Sequence, residues 1–142
     1  MDRKTLQHLA KTRLKDAKAL LGRKRWSGAF YLCGYVVECA LKSCLLRYLG
    51  ESAALFGDPD YLKKLAGCWT HDLTRLVQLA GLEADLGTAC GANPALNQFW
   101  TTAKLWKESA RYEDKTEIEA RTLYEAVSHI PDGVFQWIQS RW

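Results

Sequence analysis

Residues 26–50 read WSGAFYLCGYVVECALKSCLLRYLG. From Ala29 to Leu46 the stretch is apolar and long enough to raise the question of a membrane span, yet Glu38 and Lys42 interrupt it. Charged residues at the centre of a bilayer are expensive, about 2.5–3.5 kcal/mol each on insertion scales, so a buried helix of a soluble protein accounts for the run better. Ser27 can cap the helix, Leu49 ends it, and Gly50 supplies the residue beyond its end. A helix of that length spans about 35 Å. Being apolar nearly all round, it belongs at the centre of a helical bundle.

The flanking sequence supports that frame. Upstream, Leu6, Ala10, Leu14, Ala17 and Leu21 recur at helical spacing, widened by Leu9 and Leu20, and the pattern ends near Gly22. Downstream, Asp58-Pro59-Asp60 signals a short helix that Gly67 stops, and Thr70 caps another carrying Leu73, Leu76 and Leu79 up to Gly81. Residues 82–92, with Gly87 and Gly91, read as a loop. Asn93-Pro94 opens a helix with the stripe Leu96, Phe99, Trp100, Ala103, Trp106 and Ala110. Asp114 and Glu117 have the spacing of a capping box before Ile118, Leu123, Ala126, Val127 and Ile130, and Pro131 interrupts that helix ahead of Val134, Phe135, Trp137 and Ile138. The expected fold is all-α: an up-and-down bundle of four to five long helices, with short extra helices in the connection after helix two. With 142 residues and neither a repeat nor a linker, residues 1–142 form one domain.

Charge is distributed unevenly. Residues 1–25 hold nine Lys or Arg against Asp2 and Asp16, a net charge of +7, while the rest of the chain carries −3. Such a segment is either a solvated helix face or a surface that attracts a polyanion. Five cysteines without CxxC spacing, and no secretory leader, point to reduced thiols and a cytoplasmic protein. His8, His71 and His129 lack HxxxH or HExxH spacing, which argues against a metal site. A P-loop, a GxGxxG turn and a serine nucleophile elbow are absent, so no cofactor is expected and the sequence assigns no catalytic residue.

Two groups of residues carry chemistry. Glu38 and Lys42 lie four apart on one helix face, either as a satisfied internal pair that Arg111 extends, or as charges facing a ligand in a polar cleft. Trp106, Arg111 and Tyr112 combine a guanidinium fork suited to phosphate with stacking surfaces; they would hold a nucleotide, or else pack as an arginine beside core aromatics. His71 opens a helix beside Asp72.

The segment Arg25 to Lys42, with its aromatic-rich helix two bearing Glu38 and then Lys42, together with His71-Asp72-Leu73 and Trp106 through Arg111-Tyr112, resembles the HEPN family, the nucleotide-binding domain of higher eukaryotes and prokaryotes. The resemblance covers nearly the whole chain. It implies a helical bundle with an interhelical cleft, a homodimer, and action beside a small nucleotidyltransferase partner in a toxin–antitoxin or defence pair. Many members are metal-independent ribonucleases with an Arg followed after four to six residues by a His. Arg111 stands where that Arg would be, but Thr116, Glu117 and Ile118 occupy the positions for the His; the spacing from Arg3 to His8 falls in the first helix. The resemblance therefore implies a module that binds nucleotide or RNA through Glu38, Lys42, Arg111, Tyr112, Trp106 and His71. The alternatives are a ribonuclease with an altered site, in which Arg111 holds the scissile phosphate and Tyr112 or His71 moves the proton, and a dimeric helical scaffold without ligand. No membrane partner is expected.

Overall fold

A computed structural model describes residues 1–51 and 59–142 of the chain. It is an all-α bundle. Helix α1 (Arg3–Gly22) buries Leu6, Ala10, Ala17 and Leu21, the expected stripe, against helix α2 (Trp26–Glu51). At 1.5 Å per residue the two are about 30 and 39 Å long. Small residues line their contact: Ala10 and Ala17 on one side, Ala29, Cys33 and Ala40 on the other are all fully buried. The pair is joined by Arg23–Arg25, where Lys24 takes φ 57°, the left-handed region that costs an L-residue about 1 kcal/mol or more.

After α2 come three short turns: α3 (Tyr61–Leu65), a 3₁₀ turn (Ala66–Trp69) and α4 (Leu73–Leu79). Helices α5 (Glu83–Ala92), α6 (Pro94–Ala103) and α7 (Glu117–Ser128), with a 3₁₀ turn at Glu108–Tyr112 between the last two, precede the short α8 (Val134–Gln139). Among the described residues, five helices of ten or more residues surround or form the core, and the short ones follow helix two. Helix α2 is central: α1, α4, the second 3₁₀ turn, α7 and α8 all pack on it. Val36, Val37, Ala40 and Leu41 are fully buried among Leu76, Val127 and Ile138. Among the described residues, α2 is the one helix long and apolar enough to cross a membrane, with a mean hydropathy of 1.5 in its most apolar window; 61% of that window is covered by the rest of the fold.

Several local expectations are corrected. Residues 83–92 are helix α5, not a loop. Glu83 and Asp85 sit in its first turn, favourably placed against the helix dipole, and buried Leu86 anchors it; Gly87 and Gly91 face open space, so the roughly 1 kcal/mol each costs is outweighed. Ser27 does not cap α2, which begins one residue earlier; its hydroxyl instead accepts from the Lys115 backbone N–H at 2.9 Å. Helix α2 continues through Gly50. Asp72 rather than Thr70 caps α4, accepting from Arg75 N at 3.0 Å, while Thr70 Oγ1 accepts from Asp72 N. The Asp58 cap lies outside the described residues, and Gly67 continues into the 3₁₀ turn.

Helix α6 stops at Ala103, so Trp106 and Ala110 are buried from the following turn, not from the same helix. The capping box before α7 is Thr116 with Glu119: Glu119 N donates to Thr116 Oγ1 at 3.2 Å and Thr116 N to Glu119 Oε2 at 2.8 Å. Asp114 is exposed, as are Ile118 and Ile130, which therefore lie outside the core. Helix α7 ends at Ser128, ahead of a cis Ile130–Pro131 bond. Gly81 takes φ +70° at the end of α4, with Tyr48 close against the place its Cβ would occupy; glycine answers both constraints.

Candidate functional site

Glu38 is the charged residue buried in the middle of α2, with 3% of its surface exposed. A carboxylate there needs partners, and it has two. Lys42 Nζ, one turn along α2, donates to Oε1 at 2.7 Å. His71 Nδ1, at the start of the α4 cap, lies 2.9 Å from Oε2 and 3.1 Å from Oε1. Asp72 fixes the chain direction there by capping α4, which aims the imidazole at α2.

The arrangement continues outward. His71 Nε2 is 3.1 Å from Glu108 Oε2, and the other Glu108 oxygen, Oε1, accepts from Arg111 Nη1 at 2.9 Å. Arg111 in turn lies over the Tyr112 ring, 4.9 Å from its centroid. The result is a chain of contacts in which nitrogen groups and carboxylates alternate, Lys42–Glu38–His71–Glu108–Arg111, passing through a buried carboxylate and ending at a half-open guanidinium. Glu38 is its buried point, at 4% side-chain exposure; His71 and Glu108 are partly exposed at 37% and 26%, Arg111 reaches 44%, and Tyr112 lies largely in solvent. Both ring nitrogens of His71 face carboxylate oxygens, an arrangement in which only the doubly protonated ring donates twice.

Aromatic rings wall the chain on one side. Trp106 packs edge-on to Tyr35 at 5.4 Å and near Tyr31 at 6.1 Å, and its indole lies flat against the backbone of α2 at Gly34. A side chain at Gly34 would occupy the volume of that ring. Trp106 Nε1 is buried there without an acceptor. Tyr31 donates its hydroxyl hydrogen to the Tyr35 oxygen at 3.1 Å, and the Tyr35 ring stands 6.3 Å from His71. Burial pushes the Tyr35 phenol well above its ordinary range. Partial desolvation works against the charge of Arg111, but the Glu108 carboxylate, with Tyr112 and Tyr31 beside it, outweighs that and holds the guanidinium more firmly protonated than usual.

All six residues singled out from the sequence, Glu38, Lys42, His71, Trp106, Arg111 and Tyr112, meet in this one region. One connection differs from expectation. Arg111 does not extend the Glu38–Lys42 pair directly; it reaches Glu38 only through Glu108 and His71, because the 3₁₀ turn carries Glu108 inward ahead of it. Glu108, Tyr31 and Tyr35 join these six in the structure. The tyrosines carry a signal in the sequence: Ser27, Tyr31, Tyr35, Glu38 and Lys42 recur at gaps of four, four, three and four, a polar stripe on an apolar helix. Glu108 carries none.

Chemically, the region offers an oriented imidazole, a cation fit for a phosphate or carboxylate, and an exposed aromatic ring. Among the described residues no group of three or more His, Cys, Asp or Glu has the geometry to hold a metal ion. No family model matches the chain, and no curated protein or solved structure is similar to it.

Proposed function

We propose that the protein is a HEPN-like module that binds a nucleotide or RNA at the open end of the charge chain. The observation that carries this reading is the position of Arg111: half-exposed, beside the solvent-facing Tyr112, and engaged at its inner edge by a carboxylate that an incoming phosphate can replace. An arginine fork takes a phosphate through two parallel hydrogen bonds, and the tyrosine ring gives a base a surface to stack on. Glu38 and Lys42 hold His71 rigid behind them. In this reading the protein is a cytoplasmic homodimer and works with a small nucleotidyltransferase of a toxin–antitoxin or defence pair.

A ribonuclease is the second reading, favoured by the contact between His71 Nδ1 and buried Glu38. A carboxylate at one imidazole nitrogen orients the ring; Nε2 faces Glu108 Oε2 at 3.1 Å on the side where Arg111 would hold the phosphate, so a substrate that displaces Glu108 would meet the imidazole there. Titration of the protein with mononucleotides and a short oligouridylate, followed by electrophoresis of the RNA, separates the two. Binding without cleavage supports the module. Cleavage that disappears in His71→Ala supports the nuclease, and absence of any binding removes both.

A further inference from the structure

The polar stripe of α2 does not end at the site. The segment from Glu108 to Lys115 runs back along it. Glu108 reaches Glu38 through His71, Arg111 lies beside Tyr31, and the Lys115 backbone N–H donates to Ser27 Oγ while its ammonium sits 4.7 Å over Phe30. From Tyr31 to Ser27 is one helical turn, about 6 Å along the axis. The stripe then opens into a cavity of about 520 Å³ at the turn between α1 and α2, lined by Lys24, Arg25, Trp26, Ser27, Asp114 and Lys115, with Leu20 and Gly28.

The charges of this cavity are unevenly satisfied. Lys115 pairs with Glu113 at 2.7 Å. Lys24 and Arg25 are exposed and have no ion pair among the described residues, and Asp114 is the one acid in the lining. Lys24, moreover, holds the left-handed backbone position that glycine would take without strain, and strained positions of this kind concentrate where a side chain has work to do. Beyond the cavity, Arg121 lies over the Trp26 ring at 5.2 Å and is paired with Glu117 at 2.9 Å.

We propose that the α1–α2 turn is a second phosphate-binding subsite, taking the backbone of a single RNA strand whose end sits at Arg111 and Tyr112. The proposal rests on the reading of Arg111 given above and adds a substrate class to it: an oligonucleotide rather than a lone nucleotide. A strand is favoured over a membrane surface because the cations line a concavity that the same segment, 108–115, joins to Arg111 and Tyr112, where a bilayer would need a convex face.

The test is fluorescence anisotropy with a labelled oligouridylate and, in parallel, uridine monophosphate. The variant is Lys24→Asn/Arg25→Gln, in which asparagine tolerates the left-handed backbone. Both positions are exposed, so the fold stands. The expected result is at least a tenfold loss of oligouridylate affinity at low salt. The slope of log affinity against log salt should flatten by about 1.4, since each phosphate contact on a single strand contributes about 0.7. Uridine monophosphate binding should not change. Unchanged oligouridylate affinity, or an equal loss for the monophosphate, overturns the subsite. So does a variant that loses sedimentation with phosphatidylserine vesicles while keeping its RNA affinity. Arg111→Ala separates the two proposals: if it leaves oligouridylate binding intact while the turn variant weakens it, the reading of Arg111 fails and the subsite stands.

Discussion

Glu38 Oε2 lies 2.9 Å from His71 Nδ1, a contact that closes 33 residues of sequence and ties the centre of α2 to the cap of α4. The buried carboxylate thereby serves two partners at once, Lys42 from its own helix and His71 from the residues leading into α4. It is the inner anchor of everything that reaches solvent at Arg111.

Removing that anchor should be costly. Glu38→Ala leaves Lys42 and His71 without their shared acceptor; both are partly exposed and His71 keeps Glu108, so the loss should be about 1–3 kcal/mol, the cost of an unsatisfied partner. Glu38→Gln keeps the shape and one acceptor, and should cost less. Urea unfolding monitored by circular dichroism measures both; a loss below about 1 kcal/mol for Glu38→Ala would show that water already shares the site.

Arg111 should behave differently. It is half-exposed and touches Glu108 rather than Glu38, so Arg111→Ala should lower stability by at most about 1 kcal/mol. Nucleotide affinity should fall more than tenfold, because a charge-assisted phosphate contact is worth more than about 1.4 kcal/mol. Glu108→Gln, which removes the competing negative charge, should raise affinity for the same nucleotide. Isothermal titration of the three proteins decides; a Glu108→Gln protein that binds more weakly would mean that the carboxylate orients Arg111 instead of competing for it.

The contact of Trp106 with Gly34 makes a double-mutant test. Gly34→Ala forces a methyl group into the indole and should destabilise by about 1–3 kcal/mol, although alanine is the better helix former. In a Trp106→Ala background the obstruction is gone, and the same substitution should become neutral or stabilising by up to about 1 kcal/mol. If Gly34→Ala costs the same in both backgrounds, the ring is not what excludes the side chain.

Acid should loosen the ends of the bundle. The Asp85 carboxyl is held below its ordinary value of 3.8 chiefly by the hydrogen bond from Arg141, which joins α5 to the residues after α8, and that of Glu119 below 4.5 by the Thr116 backbone N–H. Carboxyls depressed in the fold stabilise it fully above their unfolded values and lose that contribution as pH falls through the folded ones. Melting temperature should therefore decline below about pH 4. The decline should be shallower in Asp85→Asn/Glu119→Gln, and in high salt, since both groups are exposed. A decline of equal steepness in the variant would place the acid sensitivity elsewhere.

Thiol chemistry reports on the core. Burial pushes the Cys33 thiol up to about 12 and the Cys44 thiol up to about 11, so neither carries appreciable thiolate at pH 8. Both should resist Ellman's reagent in the native protein and react once it is unfolded. Rapid native labelling of Cys44, whose Sγ lies 3.9 Å from the Ile138 carbonyl oxygen, would reveal opening of α8 from α2.

The sequence by itself determined that the protein is helical, that α2 is its centre, and which face of α1 is buried. These follow from apolar periodicity, which acts over one or two turns and is written in local order: the stripe from Leu6 to Leu21 and the run from Ala29 to Leu46 each specify their own burial. It also marked the six polar and aromatic residues that meet at the site, since charges inside an apolar helix and an arginine beside aromatics are local anomalies. Helix ends were less legible. Ser27, Thr70 and Asp114 all have capping chemistry, but which oxygen meets which N–H depends on where the chain turns, and the turn is set by packing: Ser27 serves Lys115, 88 residues away. For the same reason the glycines of α5 read as a loop, although Leu86 and contact with α6 hold them in a helix. Only the tertiary structure decided how the site is wired. Glu108 has no distinguishing neighbour in the sequence; it acquires its place between His71 and Arg111 because α6 ends at Ala103 and Trp106 packs on Gly34, delivering the following turn against α2. Partners separated by 33 to 72 residues meet by the summed packing of the core, which no local pattern encodes.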